Sequence, residues 1–182
     1  MSEQPEMEAL RFVFLDETGT HIAMTRRYGR SRRGRRVYGR VPHRRGQNLT
    51  VVSAISAEGV VCHRALDGGM NGAAFLSFVS EVLLPSLRPG QVIVMDNLSS
   101  HKTQAVRAAF AAARVGVLYL PRYAPELNPI ELCWSKVKAR LRAVAARTRE
   151  HLRAAIDEAL GVVDAGATRR WIRHCGYRLT IT

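Results

Sequence analysis

A chain of 182 residues with 47% apolar side chains is long enough to bury one ordinary core and too apolar to stay disordered. Its 28 Lys and Arg against 15 Asp and Glu leave a net charge of +13, which points to a polyanionic partner, with nucleic acid first and a membrane surface well behind. The three cysteines, Cys62, Cys133 and Cys175, form no CxxC pair and no apolar run reaches membrane-spanning length, so zinc sites, disulfide frameworks and spanning helices are all disfavoured.

The start, "MSEQPEMEAL", is acidic and polar and reads as a tail over 1–10 rather than a signal peptide; with the scattered cysteines it suits a reducing cytoplasm. "RFVFLDE" follows as a strand that ends in acid at Asp16, with Glu17 on the opposite face by alternation. "HIAMTR" is expected to be its hairpin partner across "TGT". Residues 26–46 form a basic insertion. Arg26, Arg27, Arg30, Arg32, Arg33, Arg35, Arg36, Arg40, Arg44 and Arg45 stand there with no acid, interleaved with Tyr28, Tyr38 and glycines. Charge runs are often solvated loops. Here arginine without acid, beside glycines that let backbone come close, favours phosphate contact of a largely sequence-independent kind.

"NLTVVSAIS" and "GVVCHRALD" read as two strands joined at Glu58-Gly59. A helix over 71–88 is expected from Phe75, Phe78, Val79, Val82, Leu83 and Leu87, ended by Pro89-Gly90. "QVIVMD" is a short buried strand delivering Asp96, and a helix over about 102–115 carries Val106, Ala109, Phe110 and Ala113. "VGVLYLP" reads as another buried strand. After "RYAPEL", a helix from "NPIELCW" to about 146 has the seam Ile130, Trp134, Val137, Leu141 and Val144. One further helix holds Leu152, Ile156, Leu160 and Val163, and a short one holds Trp171 and Ile172. Antiparallel strands first and β-α-β afterwards predict an α/β fold, a ribonuclease H-like mixed sheet flanked by helices.

Three acids fall at element ends: Asp16, Asp96 and Glu131, with 34 residues between the last two. In such a sheet the strands of Asp16 and Asp96 can be neighbours. Carboxylates brought together repel unless a cation lies among them, and oxygen ligands without His or Cys select Mg²⁺, with Mn²⁺ as substitute. Two such ions support phosphodiester cleavage. Simpler roles compete for each acid. Asp96 could cap the next helix, Asp16 could open a turn, and Asn128-Pro129-x-Glu131 matches a capping box. Glu126 is the rival for the third acid, read as a loop residue.

"FLDETG", "VMDNLSSH" and "LPRYAPELNPIELCWSKVK" resemble the three signature blocks of the DDE transposases of the mariner-type superfamily, in its bacterial insertion-sequence branch. The resemblance runs from about residue 11 to about 160. It implies a ribonuclease H-like catalytic domain over 11–165, followed by a C-terminal helix and tail over 166–182. It also implies Asp16, Asp96 and Glu131 as catalytic ligands of two divalent ions. The implied reaction nicks transposon ends and joins the 3′-hydroxyl to target DNA, in a homodimeric complex on the bacterial nucleoid. Asn97 would fix loop geometry. His101 would orient a phosphate or a water, or else be a surface residue at a helix start, and Trp134 would be core. Relatives carry an N-terminal helix-turn-helix that reads the ends, so such a region is expected upstream, in cis or in trans. Two alternatives remain: a non-catalytic basic DNA-binding relative, and a stand-alone ribonuclease H-like nuclease, which "PELNPIE" and the acid spacing disfavour.

Overall fold

The computed structural model describes residues 11–179, so the tail expected over 1–10 and residues 180–182 of the C-terminal tail lie outside the described residues. Its strands are β1 (Phe12–Thr20), β2 (Leu49–Ser56), β3 (Gly59–Asp67), β4 (Val92–Met95) and β5 (Gly116–Tyr119). They form one sheet in the order β3-β2-β1-β4-β5. The first three are antiparallel, while β4 runs parallel to β1 and β5 parallel to β4. The helices are α1 (Gly72–Phe78), α2 (Gln104–Ala112), α3 (Ile130–Val144), α4 (Arg149–Gly161) and α5 (Ala165–His174).

Alternation along β1 divides the core in two. Phe12 and Phe14 pack on the side of Trp134, Val137, Ile156 and Ile172, which α3, α4 and α5 supply. Val13 and Leu15 pack on the other side with Phe75, Phe78, Val106 and Phe110 from α1 and α2. A sheet covered on both faces buries its inner strands completely, and every residue of β2 is buried. The polar residues there are satisfied: Ser53 Oγ donates to the Cys62 carbonyl at 2.9 Å.

Several expectations need correction. "HIAMTR" is not a strand. Thr18, Gly19 and Thr20 instead prolong β1 against Val51, Thr50 and Leu49. The turn-like "TGT" extends the strand because its threonines are β-branched and buried, and Thr20 Oγ1 donates to the Leu49 carbonyl at 2.9 Å. The helix expected over 71–88 is α-helical only to Phe78, then widens into a π-turn at Val79–Leu83 and tightens at Leu84–Ser86. Pro85 has no amide hydrogen to give, so the chain leaves the helix by Leu87, ahead of Pro89-Gly90. The strand "VGVLYLP" is an edge rather than a buried strand, alternating exposed and half-buried with Leu118 44% exposed. Among the described residues no helix is long and apolar enough to cross a membrane.

Candidate active site

Asp16 does not end its strand, since β1 continues four residues further to Thr20. What ends beside it is β4. The parallel pairing runs from Phe12↔Val92 to Phe14↔Val94, and two residues beyond that last pair stand Asp16 and Asp96. Asp96 therefore leaves the sheet at the carboxyl end of β4, beside Asp16, which stays within the neighbouring β1. This is the crevice in which open α/β sheets place their chemistry. Glu131 enters from the first turn of α3, which packs on β1. Asp16, Asp96 and Glu131 line one cleft of about 480 Å³ together with Asn97 and Asn128. Glu126 is exposed on the turn Pro125–Leu127 and does not line it.

The capping-box reading of "NPIE" fails. Asn128 makes no side-chain cap to α3; Pro129 is the boundary residue, and the Asn128 carbonyl accepts from the Glu131 amide at 3.1 Å. Asn128 itself is buried, and its Oδ1 has no hydrogen-bond partner among the described residues. Asn97 Oδ1 is likewise buried and unpartnered. Such oxygens are costly to leave unpaired, and both residues line the same cleft as the acids.

Each aspartate is tied to a different partner. The Trp134 indole N–H donates to Asp16 Oδ2 at 2.9 Å, so this core residue also orients a carboxylate. Burial pushes the Asp16 carboxyl up to about 7; a bond from the Glu17 backbone opposes this, and the nearby Glu131 charge adds to it. Asp96 accepts from the Leu98 amide at 3.3 Å and holds His101 Nδ1 at 2.8 Å.

His101 is no surface residue: it is 1% exposed and stacked on Phe75 with ring centroids 4.1 Å apart. Its Nε2 faces Glu17 Oε2 at 3.3 Å. The two contacts are close ion-pair approaches rather than well-aligned hydrogen bonds. Burial alone would lower the imidazole's affinity for a proton, but Asp96 and Glu17 together carry it up to about 9. Glu17, placed by alternation on the face opposite Asp16, is thus the far end of a Glu17–His101–Asp96 line. Sequence reading noticed His101 but missed its burial; the signal was Phe75, an aromatic whose partner lies 26 residues away.

The three carboxylates share the walls of the cleft rather than meeting at a point. Among the described residues no three His, Cys, Asp or Glu side chains stand close enough to hold a metal ion. Burial pushes the thiols of Cys62 and Cys133 up to about 12, so neither is a thiolate at neutral pH.

None of the ten arginines of 26–45 lines this cleft; they stand on an irregular and exposed segment. No acid among the described residues pairs with any of them. The segment is pinned where it starts and ends. Arg147 donates to the Ile22 and Met24 carbonyls at 2.9 and 3.2 Å, and Arg149 donates to Gln47 Oε1 at 3.0 Å. At the other end of the chain, the Tyr177 hydroxyl donates to the Leu127 carbonyl at 2.8 Å, tying the segment after α5 to the loop that precedes Glu131.

The family described as DDE superfamily endonuclease matches residues 11–153, well over half of the chain. No curated protein matches the sequence. Among solved structures, the chain is similar to the Mos1 transposase paired-end complex with left transposon end. Identity is 21% and the TM-score 0.76, over 94% of this chain and 54% of that one. It is similar to the pre-cleavage Mos1 transpososome at 19% identity and TM-score 0.74, covering 92% and 53% of the two chains. The Mos1 transposase catalytic domain with Raltegravir and Mg matches at 19% identity and TM-score 0.70, covering 92% and 79%. At these identities the likeness is one of fold, the ribonuclease H-like mixed sheet flanked by helices. The chain spans about half the length of the Mos1 chains in the DNA-end assemblies.

Proposed function

The chain belongs to the DDE superfamily of endonucleases, and on that premise we propose that it is a transposase catalytic domain, nicking DNA at transposon ends and joining the freed 3′-hydroxyl to target DNA. The observation that carries the reading is the register of β1 and β4, which sets Asp16 and Asp96 side by side at one end of the sheet with Glu131 on the same cleft.

The donor set fits a hard divalent cation. Asp16, Asp96 and Glu131 offer carboxylate oxygens, and Asn97 and Asn128 add buried amide oxygens left without a partner among the described residues. Mg²⁺ or Mn²⁺ at these residues, the metals named with the Mos1 catalytic domain, would supply activation of a water and stabilisation of the leaving oxygen. The protein's own part is preorganisation. Trp134 fixes the Asp16 carboxylate, and His101, held by Glu17 and Phe75, fixes Asp96.

Duplex DNA is the proposed substrate and partner. The exposed, acid-free arginines from Arg26 to Arg45 support phosphate contact, and the solved structures sharing this fold include paired-end and strand transfer complexes of Mos1. Pairing two ends asks for one site per end, which supports a homodimer on DNA. An upstream helix-turn-helix, in cis or in trans, completes the reading, as do a bacterial insertion-sequence origin and a place in the cytoplasm on the nucleoid. The test is nicking of supercoiled and end-bearing duplex DNA in Mg²⁺. Wild type should nick and should stop in excess chelator. DNA binding by wild type without nicking would leave only the non-catalytic relative.

A further inference from the structure

We propose that residues 22–46 form a two-limbed arm whose tip, Arg33-Gly34-Arg35, enters the DNA minor groove and favours the narrow groove of A·T-rich duplexes. This rests on reading the chain as a DNA-processing enzyme, and it adds sensitivity to groove width to the phosphate contacts already assigned. The arm continues the hairpin of β1 and β2 beyond the sheet, whose last ladder pair is Thr20↔Leu49. Just outside the ladder Gly46 lies against Ile22, whose Cδ1 would be 3.2 Å from a Cβ at that glycine. Further out Gly29 lies against Val37, whose Cγ1 would be 2.6 Å from a Cβ there, so a side chain at 29 would push the limbs apart. At the end the Arg35 amide donates to the Arg32 carbonyl at 3.0 Å, and the Ser31 hydroxyl donates to the Arg35 carbonyl. These pairs are all centred within about one residue of Gly34, as the limbs of a single hairpin must be. Gly34 has φ +79°, the left-handed conformation that the third residue of such a turn asks of glycine.

Shape and charge together choose the groove. Gly34 puts no side chain at the apex, and Arg32 and Arg33 precede it as Arg35 and Arg36 follow it. The tip is one chain turn across and carries cations on both limbs. The minor groove is about 6 Å wide between two rows of phosphates, narrower than a helix needs but open to the apex of a turn. A·T tracts narrow it further and deepen its negative potential, and arginine, more weakly hydrated than lysine, is the cation drawn in. Contact with phosphates alone would leave Tyr28 and Tyr38 unexplained; they stand opposite each other on the two limbs, 89% and 84% exposed. In a groove their rings meet the sugar edges of its two walls. Between Arg26 and Arg45 no Asn, Gln, Asp or Glu is present to read adenine or cytosine in the major groove. Guanine alone could be read there, and the experiment separates that case. The arm therefore senses groove width without reading base edges.

The experiment measures binding in Ca²⁺ to three duplexes of equal length: an A-tract, a G·C duplex, and that G·C duplex with inosine in place of guanine. Inosine lacks the 2-amino group, so its pair with cytosine presents the minor groove of A·T and the major groove of G·C. Wild type should bind the A-tract and the inosine duplex each about tenfold more tightly than the G·C duplex. An inosine duplex bound no better than the G·C duplex overturns the proposal, whether through contact with phosphates alone or through guanine read in the major groove. Arg33→Lys with Arg35→Lys keeps the charge of the tip. In that variant the preference should fall to a ratio of about one while the salt slope of binding is retained. Preference that survives the double change also overturns the proposal. Nicking of supercoiled DNA in Mg²⁺, measured on the same preparations, separates the two readings. Nicking without groove preference overturns the arm and leaves the catalytic reading standing. Preference that depends on the two arginines, without nicking, does the reverse.

Discussion

The acid cleft and the arginine segment are built in opposite ways. In the cleft each aspartate is held by a buried partner, Trp134 for Asp16 and His101 for Asp96, and those partners are themselves packed in the two halves of the core. Folding positions these groups before any substrate arrives. The arginine segment has no such support between its ends: its side chains are exposed, and Arg147 and Arg149 hold only the backbone and Gln47 beside it. A rigid cleft is suited to chemistry, where misplacement by an ångström is costly. A basic loop pinned at its ends and exposed between them is suited to following a phosphate backbone whose sequence it does not read.

The contrast predicts where substitutions act. The largest effects belong to the acids. Asp16→Asn, Asp96→Asn and Glu131→Gln should each cut nicking by about a hundredfold to a thousandfold or more, with duplex binding retained. Glu126→Gln should nick normally, and the reverse pattern for Glu126 and Glu131 would reassign the third acid. Next comes Trp134→Phe, which keeps most of the packing but removes the donor to Asp16. It should cost about tenfold to a hundredfold in nicking or in apparent Mg²⁺ affinity, read from a metal titration.

Stability should follow pH through the same groups. His101 binds its proton more tightly folded, at about 9, than unfolded, at 6.5. Its contribution is complete below pH 6.5 and is lost as pH rises to about 9, up to about 3 kcal/mol. Asp16, raised from 3.8 to about 7, acts in the same direction over the lower window, since the folded state keeps a proton that the unfolded chain releases. Denaturant midpoints should therefore fall with rising pH across both windows. His101→Phe should lower stability and flatten the fall above pH 6.5. Mg²⁺ should raise the Tm, more at pH 8 than at pH 5, because the proton competes for Asp16.

The smallest effect on the fold belongs to the loop. Replacing Arg32, Arg33, Arg35 and Arg36 by Ala should leave stability within about 0.5 kcal/mol, since the four are exposed and pair with no acid among the described residues. The same variant should flatten the log–log salt dependence of DNA binding by up to about 4.

Much of this was legible because apolar runs stop at a charge. "FVFL" before Asp16 and "VIVM" before Asp96 announce both the strands and the acids they carry. What was not legible depended on partners distant in sequence. "TGT" has turn residues, and only β2 alongside makes it strand. Asn128 has the chemistry of a cap, yet Pro129 takes the boundary position before α3, and the Asn128 amide oxygen is left buried without a partner among the described residues. His101 looks like a surface residue until Phe75 and Glu17 close over it. Trp134 was read correctly as core, but its indole N–H contact with Asp16 spans 118 residues and has no local signal.

Single-turnover nicking in Mg²⁺, measured against DNA concentration for wild type, Asp96→Asn and the four-arginine variant, tests the division of labour most directly. The account predicts that Asp96→Asn abolishes the rate at saturating DNA without moving half-saturation. It predicts that the four-arginine variant moves half-saturation to higher DNA and reaches the wild-type rate. A normal saturated rate for Asp96→Asn, or a rate lost at saturation in the arginine variant with binding intact, would contradict it.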